Sequence, residues 1–335
     1  MRSEPIVSVI IPVYCAERYL RECLDSLLSQ SLENWEAICI DDGSTDSSGK
    51  VLDEYEKNDA RIKVFHKDNA GVSTARNEGI QYAEGRYLAF LDADDRMEPD
   101  MLEVMCRKAE EYHADIVECG INLFGDIPED DNLVKYTEVE DRVIVPYTRQ
   151  CLFFMKAYLW NKIYRRSFWR DSLLLKNLTV GEDLAMNAIF LLRNPNYVGI
   201  SDRLYSYRQT LESVMRSTGA YHMWYSEHRA LEAIAGAWEE VGRLEEVADD
   251  LAGVMFFFLN RRLADMSVFG RFCAVGQSIP LAKKLHLQVQ PYRGGALPAY
   301  WHDLSLLASG RRFRYLAHAF VRYLRGVLAL VRKKG

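Results

Sequence analysis

Short apolar runs alternate with amphipathic helical stretches through the first 120 residues, and nothing else in this 335-residue chain restricts its fold as tightly. Residues 7–13, 36–40, 62–65, 87–91 and 115–119 are short, apolar and bounded by turn residues, so they read as strands. Between them, 18–30, 47–58, 73–83 and 99–112 carry apolar residues at helical steps, with Leu20, Leu24, Leu27 and Leu28 forming one stripe. Strand followed by helix at this spacing predicts a parallel sheet with helices packed on its faces. Such sheets take their ligands at the carboxyl ends of the strands.

Two acidic clusters fall at those ends. One is Asp41-Asp42-Gly43-Ser44-Thr45-Asp46, after the second strand, and the other is Asp92-Ala93-Asp94-Asp95, after 87–91. Carboxylates at the end of a buried strand are costly unless they meet water, a cation or a polar ligand. Clustered there, they suit a divalent ion such as Mg²⁺, which takes one or two carboxylates plus phosphate oxygens. An Asp-rich turn leading into the helix at Pro99 accounts for the second cluster equally well when it is taken alone. Two clusters on one edge of the same sheet favour a nucleotide-and-metal site.

Composition narrows the remaining classes. The seven cysteines show no Cys-x-x-Cys pair, and the seven histidines no ligand spacing, which argues against a disulfide framework and a zinc site and for a cytoplasmic setting. The first apolar run is short and interrupted by Pro12, so it reads as a strand and not as a signal peptide. No stretch has the ~18–20 apolar residues of a membrane span. Residues 304–335 contain six Arg, two Lys and no acid, a charge of +8 within a chain of net −6, which leaves −14 on the rest. An acidic body does not fit a nucleic-acid binder.

The second half is less regular. Residues 118–145 read as hairpins or a loop excursion, 148–158 as helix and 160–165 as a short strand. Gly181-Glu182-Asp183 opens a helix that Asn194-Pro195 closes, 197–200 and 203–208 read as strands, and the chain turns helical after Gly219. These patterns predict a catalytic domain over 1–215 and a helical region over 216–335. The latter ends in a basic amphipathic helix at about 311–334, with apolar residues at 313, 316, 320, 324, 327 and 331 and Arg314, Arg322, Arg325 and Arg332 roughly opposite. Such a helix can lie on an anionic membrane; docking on the domain or on a second subunit is the alternative.

Four ordered motifs closely resemble those of the family 2 glycosyltransferases: Val7-Ser-Val-Ile-Ile-Pro-Val-Tyr14, Asp41 to Asp46, Asn69-Ala-Gly-Val-Ser-Thr-Ala-Arg-Asn-Glu-Gly79 and Phe90 to Asp95. The likeness covers 6–120 strongly, then thins through Trp160-Asn161-Lys162, Gly181-Glu182-Asp183 and Tyr207-Arg208. It implies a GT-A fold, a Rossmann-like, mixed and mostly parallel sheet flanked by helices, here with a C-terminal helical extension. The nucleotide-sugar half would be about 1–120 and the acceptor half 121–215. It also implies a nucleotide-sugar donor, a divalent metal (Mn²⁺ or Mg²⁺) and inversion at the anomeric carbon.

Carried over by position, Pro12 and Tyr14 line a uracil pocket, Asp42 accepts the base N3–H and Arg76 sits beside the nucleotide. Asp92 faces the ribose, Asp94 binds the metal and Asp183 is the general base, while Trp160, Asn161, Lys162 and Glu182 are candidates for the acceptor side. Several have an ordinary structural alternative: Asp183 as a first-turn residue, Arg76 as a surface arginine, Tyr14 as a strand-end aromatic, and Trp160, Asn161 and Lys162 as fold residues. The Gln-x-x-Arg-Trp motif of processive synthases is absent, since Tyr207-Arg208-Gln209 does not supply it, and single addition follows.

The expected activity is transfer of a sugar from a nucleotide-sugar, UDP-linked first, to a glycan or lipid-linked hydroxyl in cell-surface polysaccharide or glycolipid synthesis. The expected location is the cytoplasm, peripheral on the inner face of the membrane. The rivals are a nucleotide-sugar-binding membrane scaffold without turnover and a metal-dependent phosphohydrolase. The second normally carries Thr or Val where this chain has Arg96.

Overall fold

The computed structural model describes residues 4–125, 137–144, 155–169, 178, 180–210, 219–263 and 265–285. The chain divides into two compact units, Met1–Ser217 and Thr218–Gly335.

The first unit is built on one nine-stranded sheet. Its first strands are β1 (Val7–Val13), β2 (Trp35–Asp41), β3 (Ile62–His66) and β4 (Tyr87–Phe90), joined by helices α1 (Leu20–Leu28), α2 (Ser48–Asn58) and α3 (Val72–Tyr82). They lie in the order β3-β2-β1-β4, all parallel, with Val9 beside both Ala37 and Ala89. Every residue of β2 and β4 is buried, as unbroken apolar runs covered on both faces should be. Gly79 lets α3 lie directly on β1, since a Cβ there would stand 2.5 Å from Cγ2 of Ile10.

Beyond β4 the sheet becomes mixed. After β5 (Arg96–Met97) and α4 (Met101–Glu111) come β6 (Ile116–Gly125), β7 (Arg142–Ile144), β8 (Lys162–Arg165), α5 (Glu182–Phe190) and β9 (Tyr197–Gln209). The sheet continues β4-β8-β6-β9-β5, with β7 also on β9; β8 is antiparallel to both β4 and β6, and β6 runs parallel to β9. The mixed sheet flanked by helices matches the fold expected from the sequence.

Three details differ from the sequence reading. The segments 197–200 and 203–208 form one strand, because the register with β6 slips around Gly120 and absorbs the polar Ser201 and Asp202. The Arg96–Met97 strand was not expected; it forms by pairing with Ser206 and Tyr205, a partner 110 residues away that no local pattern announces. Of the helix expected over 148–158, the described residues 155–158 are loop.

The second unit contains α6 (Ala220–Glu240), α7 (Ala248–Leu263) and α8 (Val268–Lys284), with Trp224, Leu231, Ile234 and Trp238 buried along α6. The basic amphipathic stretch at 311–334 lies outside the described residues. Among the described residues no helix is long and apolar enough to cross a membrane.

Candidate active site

The strand order reverses direction at β1. The chain steps from β1 outward to β2 and β3, then returns to place β4 on the other side of β1. A crevice opens at the carboxyl ends of the strands at such a reversal, and ligands bind there. Pro12 stands at its lip. Ile10 accepts a hydrogen bond from Leu91 N–H, so Ile10 and Pro12 turn their backbone groups toward β4. That strand ends at Phe90, so proline's missing N–H forfeits no partner in the ladder.

The β1–α1 turn that follows is strapped to the first acidic cluster. Cys15, at φ 49°, donates its N–H to Ser44 Oγ (3.0 Å), Ala16 donates to Ser48 Oγ (2.8 Å) and Glu17 to Asp46 Oδ2 (3.1 Å). Tyr14, in the same turn, stays 55% exposed. Asp42 is turned inward and only 3% exposed. Its carboxylate accepts Lys67 Nζ at 2.8 Å and the N–H groups of Ala70 and Gly71 at 2.9 and 2.8 Å. Three of the roughly four acceptor positions of that carboxylate are thus used to fold the 67–71 loop. Asp41 beside it accepts Ser44 N–H and lies 2.8 Å from His66 Nδ1, a contact that, with Asp53 on the other ring nitrogen, raises the pKa of His66.

The second cluster is where the halves of the unit meet. Arg76, from α3, is buried and reaches in two directions: NH2 donates to Asp92 Oδ1 at 2.7 Å, and NH1 to Glu182 Oε1 at 2.9 Å. Burial works against the guanidinium, yet Asp92, Glu182 and Asp183 hold its pKa above the ordinary arginine value. Glu182 and Asp183 open α5 after Gly181, whose left-handed φ of 91° makes the turn. Burial pushes both carboxyls up against the pull of Arg76, with the Asp183 charge adding to the rise of Glu182. The second oxygen of Glu182, Nε of Arg76 and Oγ of Ser73 are buried without a hydrogen-bond partner.

Asp94 points elsewhere. No donor from another residue among the described ones bonds to its carboxylate, and burial together with the Asp92 charge raises its pKa to about 6. A carboxylate left open beside a like charge fits a hard cation, which would relieve both penalties. Among the described residues no three His, Cys, Asp or Glu side chains are grouped to hold a metal by themselves. Asp94 offers a single carboxylate, and Mg²⁺ characteristically takes one or two carboxylates together with phosphate oxygens and water.

Asp95, fully buried, was read from the sequence only as a member of the acidic cluster, with no role of its own. It accepts Tyr205 Oη at 2.7 Å and Arg208 N–H at 2.7 Å, and burial with the Asp94 charge raises it well above the carboxylate range. Arg208 in turn donates Nε–H to the Asp94 carbonyl at 2.7 Å, pairs with Glu22 and lies over the rings of Tyr19 and Phe124. These links tie the acidic loop to β9 across more than 100 residues of chain, which no spacing in the sequence reports.

The acceptor-side candidates separate. Lys162 is fully buried and donates to the carbonyls of Lys156 (2.9 Å) and Tyr158 (2.6 Å) and to Asn161 Oδ1 (2.8 Å), 3.1 Å from Glu118. Asn161 donates to Glu118 and to the Cys119 carbonyl, and Glu118 also accepts Tyr197 Oη at 2.6 Å. Both Asn161 and Lys162 are buried, and their hydrogen bonds hold the chain before β8 onto the sheet. Asn187 of α5 donates to the carbonyls of Ala157 (2.6 Å) and Tyr158 (3.3 Å) and accepts Tyr164 Oη, which fixes the helix bearing Asp183 to the same loop. Trp160 is packed among Tyr158, Tyr205 and Tyr207.

Comparison with known proteins identifies the family and the fold. A model described as "Glycosyl transferase family 2" matches residues 8–164. The putative glycosyltransferase EpsH of Bacillus subtilis (strain 168) is 34% identical over 263 residues, covering 74% of this chain and 73% of its own. The uncharacterized glycosyltransferase EpsJ of the same organism is 32% identical over 220 residues, and the chain spans 63% of its length. Among solved structures, S. aureus TarS 1–349 in complex with UDP-GlcNAc superposes with a TM-score of 0.68, covering 96% of this chain and 92% of that one. At 20% identity that likeness speaks to the fold.

Proposed function

The chain belongs to the family 2 glycosyltransferases, and on that premise we propose that it transfers a sugar, with inversion, from a nucleoside-diphosphate sugar to a hydroxyl of a glycan or lipid-linked acceptor. UDP is the proposed nucleotide, and cell-surface polysaccharide or glycolipid synthesis the proposed setting. One observation carries the reading. Arg76 joins Asp92, at the carboxyl end of β4, to Glu182, next to Asp183, which supports a donor side and a base within one crevice.

In this reading Pro12, Tyr14 and Asp42 bound the base pocket, Asp42 chiefly through the 67–71 loop that it folds. Arg76 and Asp92 face the nucleotide-sugar. Asp94 would hold a divalent cation, which would supply positive charge against the departing diphosphate. Asp183 takes the proton of the acceptor hydroxyl on the face opposite the leaving group, which inversion requires. A buried carboxyl with a raised pKa is the better-matched base, because its affinity for the proton lies nearer working pH.

The test is nucleotide release from a panel of UDP-, GDP- and dTDP-sugars, with Mn²⁺ or Mg²⁺ and with chelator. One nucleotide-sugar is expected to yield its diphosphate, with chelator or Asp94→Asn lowering the rate by about 10²-fold. Activity indifferent to both would remove the metal role of Asp94. Protonation of Asp94 competes with the ion, so the metal effect should weaken as pH falls through about 6.

Membrane attachment through 311–334 belongs to the proposal on sequence grounds alone, from its eight basic residues without an acid. The full chain should float with liposomes containing phosphatidylglycerol and stay behind with phosphatidylcholine alone; equal recovery in both would exclude an electrostatic anchor.

A further inference from the structure

We infer that His66, protonated on both ring nitrogens, is a positioning residue that holds the 41–46 turn in the shape that receives the nucleotide, so that nucleotide affinity falls as pH rises and the ring loses its proton. The inference deepens the function proposed above and rests on it for the nucleotide.

It begins with one imidazole held between two acids. His66 ends β3 directly beside Asp41, the last residue of β2. Its Nδ1 lies 2.8 Å from Asp41 Oδ2, and its Nε2 lies 3.0 Å from Asp53 Oδ1 of α2. An ionised carboxylate only accepts hydrogen bonds, and a neutral imidazole has a single N–H to give. Both contacts are hydrogen bonds at once only when the ring is an imidazolium. Asp41 first and Asp53 second favour that form and raise the pKa of His66 above the ordinary histidine value.

Asp41 passes the contact on to the nucleotide side. Its other oxygen accepts Ser44 N–H at 3.0 Å, and Ser44 Oγ accepts Cys15 N–H in the turn that carries Tyr14. The links from Asp53 to Cys15 thus join α2 to both turns at the lip of the crevice. Gly49, in the first turn of α2, leaves room for them, since a Cβ there would stand 3.0 Å from Asp41 Oδ2 and 3.5 Å from His66 Cε1. The charges are matched too. Asp41 and Asp42 are consecutive and buried, with His66 on the first and Lys67 Nζ on the second, each at 2.8 Å. Among the described residues, the charged groups paired with the ring are Asp41 from β2 and Asp53 from α2. Glu56 of α2 accepts Val64 N–H instead, and Lys67 turns to Asp42.

Loss of the proton breaks this chain at a definite place. The Asp53 side chain is 62% exposed and that of Asp41 8%, so the one remaining N–H stays with Asp41 while Asp53 turns to water. The turn then loses its tether to α2. Two adjacent buried carboxylates also keep one cation, Lys67, in place of two, which sets more negative charge beside an anionic ligand. A folded-state pKa that is raised gives a contribution present in full at low pH and lost as pH rises through the raised value.

Calorimetry of UDP, GDP and dTDP with the full chain in Mg²⁺, from about pH 6.5 to about 8.5, tests this alongside ¹⁵N NMR of the His66 ring and the Ser44 amide. The Kd of the nucleotide that binds should rise about fivefold across that range, a modest coupling between two sites. By reciprocity the same nucleotide should raise the midpoint of the His66 titration, and the Ser44 amide should follow the ring. Protonation of Asp94 acts in the opposite sense, weakening binding at low pH, so it does not imitate the effect. His66→Gln keeps a donor without a titrating charge, and its Kd should stay level near the parent's high-pH value. Asp53→Asn removes one of the two acids that favour the imidazolium and should move the dependence to lower pH. Both positions are solvent-exposed, and a Tm within about 2 °C of the parent shows that the variants fold. A parent Kd level with pH, a rise of equal size in His66→Gln, or a Ser44 amide indifferent to the ring overturns the inference and leaves the proposed function standing. Failure of all three diphosphates to bind at any pH overturns both.

Discussion

Asp183→Asn is expected to lower kcat by about 10³-fold, within the 10²–10⁴ range of a general base, while leaving nucleotide binding in place. Asn keeps the size of the side chain and its place in the first turn of α5, and that helix is anchored independently through Asn187 to the 157–158 loop and Tyr164. What Asn lacks is a site for the acceptor's proton. The measurement is kcat at saturating donor and acceptor, alongside the rise in Tm produced by UDP. A kcat within about threefold of the parent would reduce Asp183 to a first-turn acid whose value lies in its interaction with the helix dipole, less than about 1 kcal/mol.

The pH profile distinguishes the same two readings. Burial raises the pKa of Asp183 above the usual carboxylate range, with Arg76 opposing the shift. A base must be ionised to act, so kcat should fall as pH drops through that raised value. The acidic limb then lies above the range of an exposed aspartate and disappears in the Asn variant. A limb that survives the substitution belongs to another group, and Asp94, raised to about 6, is the first to examine.

The parallel strands of the first 120 residues and the sheet edge that carries the acids could be read from the chain because both depend on local patterns. Continuous apolar runs such as Val7–Val13 specify buried parallel strands, and the motif at Phe90 to Asp95 identifies where β4 ends. Contacts closed over long separations could not be read. Asp95 meets Tyr205 and Arg208 across 110 and 113 residues, and Lys162 and Asn161 turn inward to Glu118 across more than 40. The residue types at 160–162 look the same whether they face a ligand or a neighbouring loop.

Arg76→Met should produce the largest loss of stability of any single change at the site, about 3–5 kcal/mol, because removing one member of a buried charge cluster strands the others. The Arg76 side chain is 5% exposed and that of Glu182 8%, while Asp92 is more open at 27%. Without the guanidinium, Asp92, Glu182 and Asp183 face one another with no countercharge among the groups now bonded to Arg76. For a unit of about 200 residues the deficit corresponds to a Tm roughly 10 °C lower. The sign of its pH dependence is fixed by linkage. Carboxyls whose folded-state pKa is raised contribute stability that is present at low pH and lost as pH rises through that raised value. Loss of Arg76 raises them further, so the variant's deficit should be smaller at pH 5 than at pH 8. Arg76→Lys keeps the charge but cannot span both carboxylates with a planar fork, and should fall between the two. Adding Glu182→Gln to Arg76→Met should recover part of the loss at pH 8, since it removes one of the stranded charges. If Arg76→Met melts within a degree or two of the parent chain at both pH values, the bridge from Asp92 to Glu182 does not hold the site together. The coupling between donor side and base helix on which the proposed function rests would then have to come from elsewhere.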